Sequence, residues 1–235
     1  MLECSCKVDG DGIHGARINL WFSGHHLRQE ALAKAQGFLQ QCAQIAPLDL
    51  SLYRQVVNAD FQYDKARCTI LGIDAQAQSN KSRVKLWHIV EHYPEMEDVL
   101  LGFPGIAPIA QCFKILPELL FGFDFGFDGG TALKVYPMLH ARHIPPLHNP
   151  LSALLGARTL ALVEQCEWVN FGFTTKKPCI SLHFLPRNPE VFIGNFHHQA
   201  LSDVYRLSGA SQKVIVSLDQ AEAESGCYST FNFYY

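Results

Sequence analysis

The sequence predicts an α/β protein of the α+β type: a closed antiparallel barrel of about ten strands in five hairpins, hollow inside, with its helices outside. Three observations carry that expectation. Strand-like segments come in adjacent pairs, helix-like segments fill the gaps between pairs, and pair after pair one strand phase is apolar while the other carries cations and aromatics. Antiparallel pairs joined through helices, with no capped sheet edge, close most simply into a barrel. About eight strands already leave an interior that side chains or one ligand can fill, so ten leave it open.

The first pair is "LECSCKV" and "GARINLWF" around the turn-like "DGDGIH", and "HHLRQEALAKAQGFLQQCAQI" then reads as an amphipathic helix. The second pair, "ARCTILGIDA" and "RVKLWHIVEHY", is separated by the polar "QAQSNKS". "LLFGFDFGF" and "TALKVYPM" flank "DGG", a good hairpin turn. "EWVNFGFTT" and "CISLHFL" meet at "KKP", and the helical "NPEVFIGNFHHQALSDVYRLSG" follows. "KVIVSL" and "CYSTFNFYY" close the chain. Within these strands Val84, Leu86 and Val90 oppose Arg83, Lys85 and Trp87. Likewise Ala16, Ile18, Leu20 and Phe22 oppose Arg17, Asn19 and Trp21, and Leu133 and Val135 oppose Lys134 and Tyr136. Ser181/His183 and Thr230/Asn232/Tyr234 supply the polar phases of the last two pairs. On one strand such a phase would simply face water. Its recurrence, with helices on the apolar side, points to a lumen.

A chain of 235 residues, 48% hydrophobic, fits one domain spanning 1–235 with a sizeable core. The net charge of −3, without a basic run, gives no footprint for nucleic acid. Apolar runs such as "EDVLLGFPGIAPIA" are cut by Gly and Pro well short of a membrane span, and the start lacks a signal-peptide pattern. A cytoplasmic monomer that engages neither nucleic acid nor membrane is expected. The eight cysteines form no CxxC pair and read as buried free thiols. His25/His26, His197/His198 and His140/His143 have no Cys or carboxylate at metal-site spacing and read as structural or surface histidines, so no metal ligand is assigned. The "DFG" at 124–126 comes without the glycine loop, VAIK-like strand or HRD-like loop of a kinase.

The segments "LECSCKV", "LDLSLYRQVVNADFQYDKARCTILGIDA", "VKLWHIVEHYPEMED", "FGFDFGFDGG", "ISLHFLPRN" and "TFNFYY" together resemble the cyanobactin-type peptide prenyltransferases of the ABBA fold, in order and spacing over nearly the whole chain. The resemblance implies transfer of dimethylallyl or geranyl from its diphosphate to a side chain of a macrocyclic or linear ribosomal peptide, with Mg²⁺. Members of that family carry a helical segment before the first barrel strand, where this chain begins, so a truncation or a short form is open.

Such chemistry needs a site for the departing diphosphate and shelter for an allyl cation. Strand phase nominates Arg17, Lys85 and Lys134 for the diphosphate, with Tyr136, His183 and Tyr234 as hydrogen-bond donors. Trp21, Trp87 and Trp168 are candidates for the isoprenyl pocket. The DDxxD box of α-helical isoprenyl synthases is absent, which shifts the load to basic residues. By the resemblance, the base near the acceptor falls on Glu3, and the position limiting donor length falls near Asn170. Asp124, sharing its phase with Gly122 and Gly126, would orient a nitrogen or hydroxyl acceptor. Glycines at 122 and 126 and a small residue at 170 predict a pocket that accepts geranyl diphosphate as well as or better than dimethylallyl diphosphate. Two alternatives stand beside this reading: a small aromatic acceptor on the same fold, and a non-enzymatic barrel that carries an apolar anion.

Overall fold

The computed structural model describes residues 1–23, 28–58, 60–102, 118–175, 177–211 and 213–235. The strands are β1 (Leu2–Asp9), β2 (Gly12–Ser23), β3 (Ala66–Ala75), β4 (Arg83–Glu91), β5 (Glu118–Gly126), β6 (Thr131–His140), β7 (Cys166–Thr174), β8 (Lys177–Pro186), β9 (Ile215–Asp219) and β10 (Thr230–Tyr234). They close into an antiparallel barrel in the order β1-β10-β9-β8-β7-β6-β5-β4-β3-β2, with helices outside. Each expected strand segment is a strand, because period-2 alternation gives each an apolar phase, which all but β2 largely bury.

The chain divides into two compact units. The first comprises Met1–Glu3, Ala16–Pro137 and Phe173–Pro178. Its β2–β6 run is a meander, and the outer phase of β5 is a row of phenylalanines, Phe121, Phe123 and Phe125, with no solvent exposure. Tyr53, from the helix Ser51–Val56, meets Phe123 edge-on at 5.3 Å, and Phe61 packs on Phe121 at 6.2 Å. Each such side chain contributes roughly 1.5–3 kcal/mol by leaving water. On β2 the outer phase departs from expectation. Ile18 and Leu20 are 46% and 41% exposed, and Ile73 of β3, opposite Ile18, is 41% exposed.

The second unit comprises Cys4–Gly15, Met138–Gly172 and Cys179–Tyr235. Phe184, Phe192, Phe196, Tyr228 and Phe231 form its aromatic layer, with successive ring centroids 4.8–5.8 Å apart. The helical stretch expected over 188–209 is two helices, Pro189–Gly194 and Gln199–Leu207. His197 takes a left-handed φ of 49° between them, and His198 Nδ1 caps the second by accepting from the Leu201 N–H at 3.3 Å. The 197/198 pair thus makes a helix break and a cap. His140 and His143 stack ring edge to face at 5.8 Å, while His25 and His26 lie outside the described residues. Cys6, Cys42, Cys68 and Cys166 are buried free thiols, and Cys227 is an exposed one. Among the described residues no helix is long and apolar enough to cross a membrane.

Candidate active site

In the first unit strand alternation turns one phase of β2–β6 away from the helix layer, and the register orders it into rows. Arg17, Asp74 and Arg83 are direct cross-strand neighbours. The next row is Asn19, Gly72, Lys85 and Asp124, and the next is Trp21, Ile70, Trp87, Gly122 and Lys134. Opposite charges side by side on a sheet face stabilise the pairing. Asp74 takes Arg17 at 3.3 Å, Arg83 at 3.4 Å and Lys85 at 3.6 Å, all on Oδ2. Asp124 takes Lys134 at 2.8 Å and Arg83 at 3.4 Å on its own Oδ2. Four cations therefore surround two buried carboxylates, a cluster cationic overall.

Burial sets the protonation energetics. It lowers Lys85 to about 8; Asp124 and Asp74 pull back toward the charged form, while Lys134 and Arg17 push the same way as burial. Burial alone would raise Asp124, but Lys134 and Lys85, the Lys134 hydrogen bond and Arg83 outweigh it and hold the carboxyl well below the usual range. Asp124 is accordingly an ionised counter-ion engaged by cations through Oδ2, while its buried Oδ1 has no hydrogen-bond partner. Glu3 is different. Burial raises it, partly offset by the Asn19 amide, which donates to Oε1 at 2.6 Å, and by the nearby Trp21 indole. A carboxyl raised in this way is a stronger base than an ordinary one.

Trp87 lies at the centre of the aromatic part. Its ring is 5.2 Å from that of Tyr136 and 5.9 Å from Lys134 Nζ. Trp21 keeps a buried indole N–H with no well-formed hydrogen bond. Neither glycine of β5 opens space. A side-chain carbon at Gly122 would meet the Trp87 ring, and one at Gly126 would meet the Asp128 carboxylate and the Gly130 carbonyl. Gly126 also serves the turn: its N–H donates to Gly130 O as the β5–β6 hairpin folds back.

The second unit holds the remaining candidates. His183 Nε2 lies 3.3 Å from Ser181 Oγ, and its ring is 6.0 Å from that of Tyr234. Trp168 is half-buried, and Asn170 is buried with Oδ1 lacking a hydrogen-bond partner. The sequence-nominated residues thus fall into two groups. Glu3, Arg17, Trp21, Lys85, Trp87, Asp124, Gly126, Lys134 and Tyr136 belong to the first unit; Trp168, Asn170, His183 and Tyr234 belong to the second. Sequence reasoning missed Asp74 and passed over Arg83. Reading the phase of "LGIDA" across from "RVKLW" would have found Asp74.

Mg²⁺ finds a poor fit in the cluster. Mg²⁺ takes oxygen ligands, and Oδ2 of each interior aspartate already faces ammonium or guanidinium groups. Among the described residues no three His, Cys, Asp or Glu side chains gather as a metal site.

Among the solved structures that resemble this barrel, three illustrate the likeness. The 6-dimethylallyltryptophan synthase from Micromonospora olivasterospora, in complex with DMASPP and Trp, matches with a TM-score of 0.59 and 12% identity, covering 99% of this chain and 80% of that one. The 5-dimethylallyltryptophan synthase from Streptomyces coelicolor matches at 0.57 and 10%, with the same coverage. The NotF prenyltransferase matches at 0.52 and 13%, covering 100% and 80%. At such identities the likeness is one of fold, the ABBA barrel. No curated protein matches the sequence. A family model matches from residue 1 to residue 235, and the chain belongs to that family, one of unknown function (DUF5838).

Proposed function

We propose that the protein is a prenyltransferase that moves an isoprenyl group from its diphosphate to an electron-rich acceptor. The observation that carries this reading is the cluster of Arg17, Arg83, Lys85 and Lys134 around two aspartates, with Trp87 and Tyr136 beside it. The donor's carbon–oxygen bond breaks, its electron pair leaves on the diphosphate, and the cations stabilise that charge where it develops. The indole of Trp87 shelters the allyl cation from water. An acceptor atom bonds to the allyl carbon and gives its proton to Glu3, which Asn19 holds in place. A pure anion carrier would need no such base.

The acceptor supported by the sequence resemblance is a side chain of a macrocyclic or linear peptide. A free aromatic amino acid is the second reading, supported by the dimethylallyltryptophan synthases of similar fold, one of them holding DMASPP and Trp. With Gly122 and Gly126 filled by neighbours, use of geranyl diphosphate rests on Asn170 alone. The test is incubation with dimethylallyl or geranyl diphosphate, with and without Mg²⁺, against cyclic peptides, linear peptides and free tryptophan, read by mass spectrometry. A mass gain of one isoprenyl unit on a peptide supports the first reading and on tryptophan the second. Saturable donor binding with no mass gain on any acceptor would sink both.

A further inference from the structure

Asp74 lies one row from the reacting groups, yet its surroundings are the most specific in the cluster. It is almost wholly buried at the end of β3, directly between Arg17 of β2 and Arg83 of β4. Its two oxygens have separate duties. Oδ1 accepts from the Gln76 side-chain amide at 2.6 Å, while Oδ2 faces Arg17, Arg83 and Lys85. Gln76 is itself held, since its backbone N–H donates to Ser82 Oγ at 3.0 Å and closes the β3–β4 connection.

We propose that Gln76 and Asp74 form a positioning pair that converges Arg17, Arg83 and Lys85 on the diphosphate; the proposal rests on the reading of the cluster as a diphosphate site. Without such an anchor, like charges on neighbouring strands repel and their long side chains spread into solvent. Gln76 fixes the carboxylate's rotation, so all three cations aim at one oxygen. Asp74 also keeps Lys85 charged. The groups facing Lys85 are Asp74 of β3, Asp124 of β5, Lys134 of β6 and Arg17 of β2, with Arg83 two residues along its own strand. Removing Asp74 leaves one carboxylate among them, and Lys85 then sheds its proton at lower pH. The loss of one negative charge therefore weakens anion binding instead of strengthening it.

The probe is inorganic pyrophosphate, titrated calorimetrically from pH 6 to 9 into wild type, Asp74→Asn and Gln76→Ala. Asp74→Asn is expected to weaken binding at least about ten-fold at neutral pH, the scale of losing a charged hydrogen bond, and to move the pH at which binding falls off downward. Gln76→Ala keeps every charge and is expected to weaken binding about three-fold with the wild-type pH dependence. A merely structural role would not move that pH midpoint. Equal or tighter binding by Asp74→Asn overturns the proposal; should that variant not fold, unchanged affinity in Gln76→Ala overturns it. Wild type that binds no pyrophosphate overturns the diphosphate reading itself, and this inference with it.

Discussion

The two units put different chemistry on the strand phase that turns away from their helices. In the first, ionised groups dominate: Asp74 and Asp124 are buried among four cations. In the second, the groups of β7–β10 on that phase are neutral or weakly basic: His183 against Ser181 and Tyr234, Asn232 donating to Ser217 Oγ at 3.3 Å, and Asn170; its one ion pair there, Lys7 with Asp9 of β1, is partly exposed. Both units bury an aromatic layer on the other phase, so packing does not account for the difference. The contrast teaches that a barrel of repeated hairpins can hold its shape with one kind of wall and specialise the other. Ionised walls carry strong but expensive interactions, because a buried charge stripped of its partner costs far more than a neutral group.

The comparison breaks first at Asp124. Asp124→Ala leaves Lys134 and Lys85 facing each other in a buried place and is expected to cost about 3–5 kcal/mol of stability. Asn170→Ala, in the neutral wall, is expected to cost about 1 kcal/mol or less, since its carbonyl oxygen has no partner to lose. Equal shifts in denaturant midpoint for the two variants would erase the contrast.

Activity supplies the next test. Lys134→Ala is expected to slow transfer about 100- to 1,000-fold with the fold retained, as removal of a preorganised charge does. Tyr234→Phe, which deletes one neutral donor, is expected to cost about ten-fold or less. Single-turnover rates on the same donor and acceptor compare them.

Acid sharpens the contrast in a different way. His88 sits on the helix side of β4 between Phe61 and Phe121, with Nδ1 3.2 Å from Thr69 Oγ1 and Nε2 without a partner. Burial lowers it to about 4 from 6.5, so between those values the unfolded chain binds the extra proton and stability falls as pH drops. The expected loss is about 3 kcal/mol by pH 4, at roughly 1.4 kcal/mol per unit. Asp124 acts in a lower window. Its depressed pKa contributes stability above the ordinary carboxylate range, and that contribution is lost only as pH falls below it. His88→Phe should abolish the upper slope and leave the lower one; a midpoint that still falls from pH 6.5 to pH 4.5 would show that His88 is not its source.

The smallest effect is expected at Lys7, which pairs with Asp9 at 3.5 Å in a partly exposed place. Lys7→Ala should leave the melting curve unchanged, because an exposed pair is screened by water and salt. A clear destabilisation there would mean that charge matters equally in both units.

The strands and their phases were legible in the sequence because period-2 alternation is local: "RVKLWHIV" states its own two faces. Partnership was not, because it depends on register between strands. Asp74 reads as one acid after an apolar run until β2 and β4 set Arg17 and Arg83 on either side of it. The same gap hid the counter-ion role of Asp124, whose phase was legible but whose neighbours Lys85 and Lys134 come from two other strands. Gly126 shows a related gap, since the room it leaves is refilled by Asp128 from the hairpin that follows. The break at His197 turns on a left-handed backbone, which histidine adopts more readily than most residue types but still uncommonly, so the residue alone does not mark it.

The uncovered outer phase formed by Leu20, Ile18 and Ile73, with Leu2 on the neighbouring β1, bears on handling at the bench. Environment-sensitive dyes brighten on contiguous apolar surface whether or not the chain has melted. A dye-monitored thermal scan of this protein starts from a bright baseline and understates the transition, whereas intrinsic fluorescence from Trp21 and Trp87 is free of that background. The same strip makes the native state salt-sensitive in one direction: sulfate, which strengthens apolar association, favours its self-adhesion at concentrations that leave the buried charges intact.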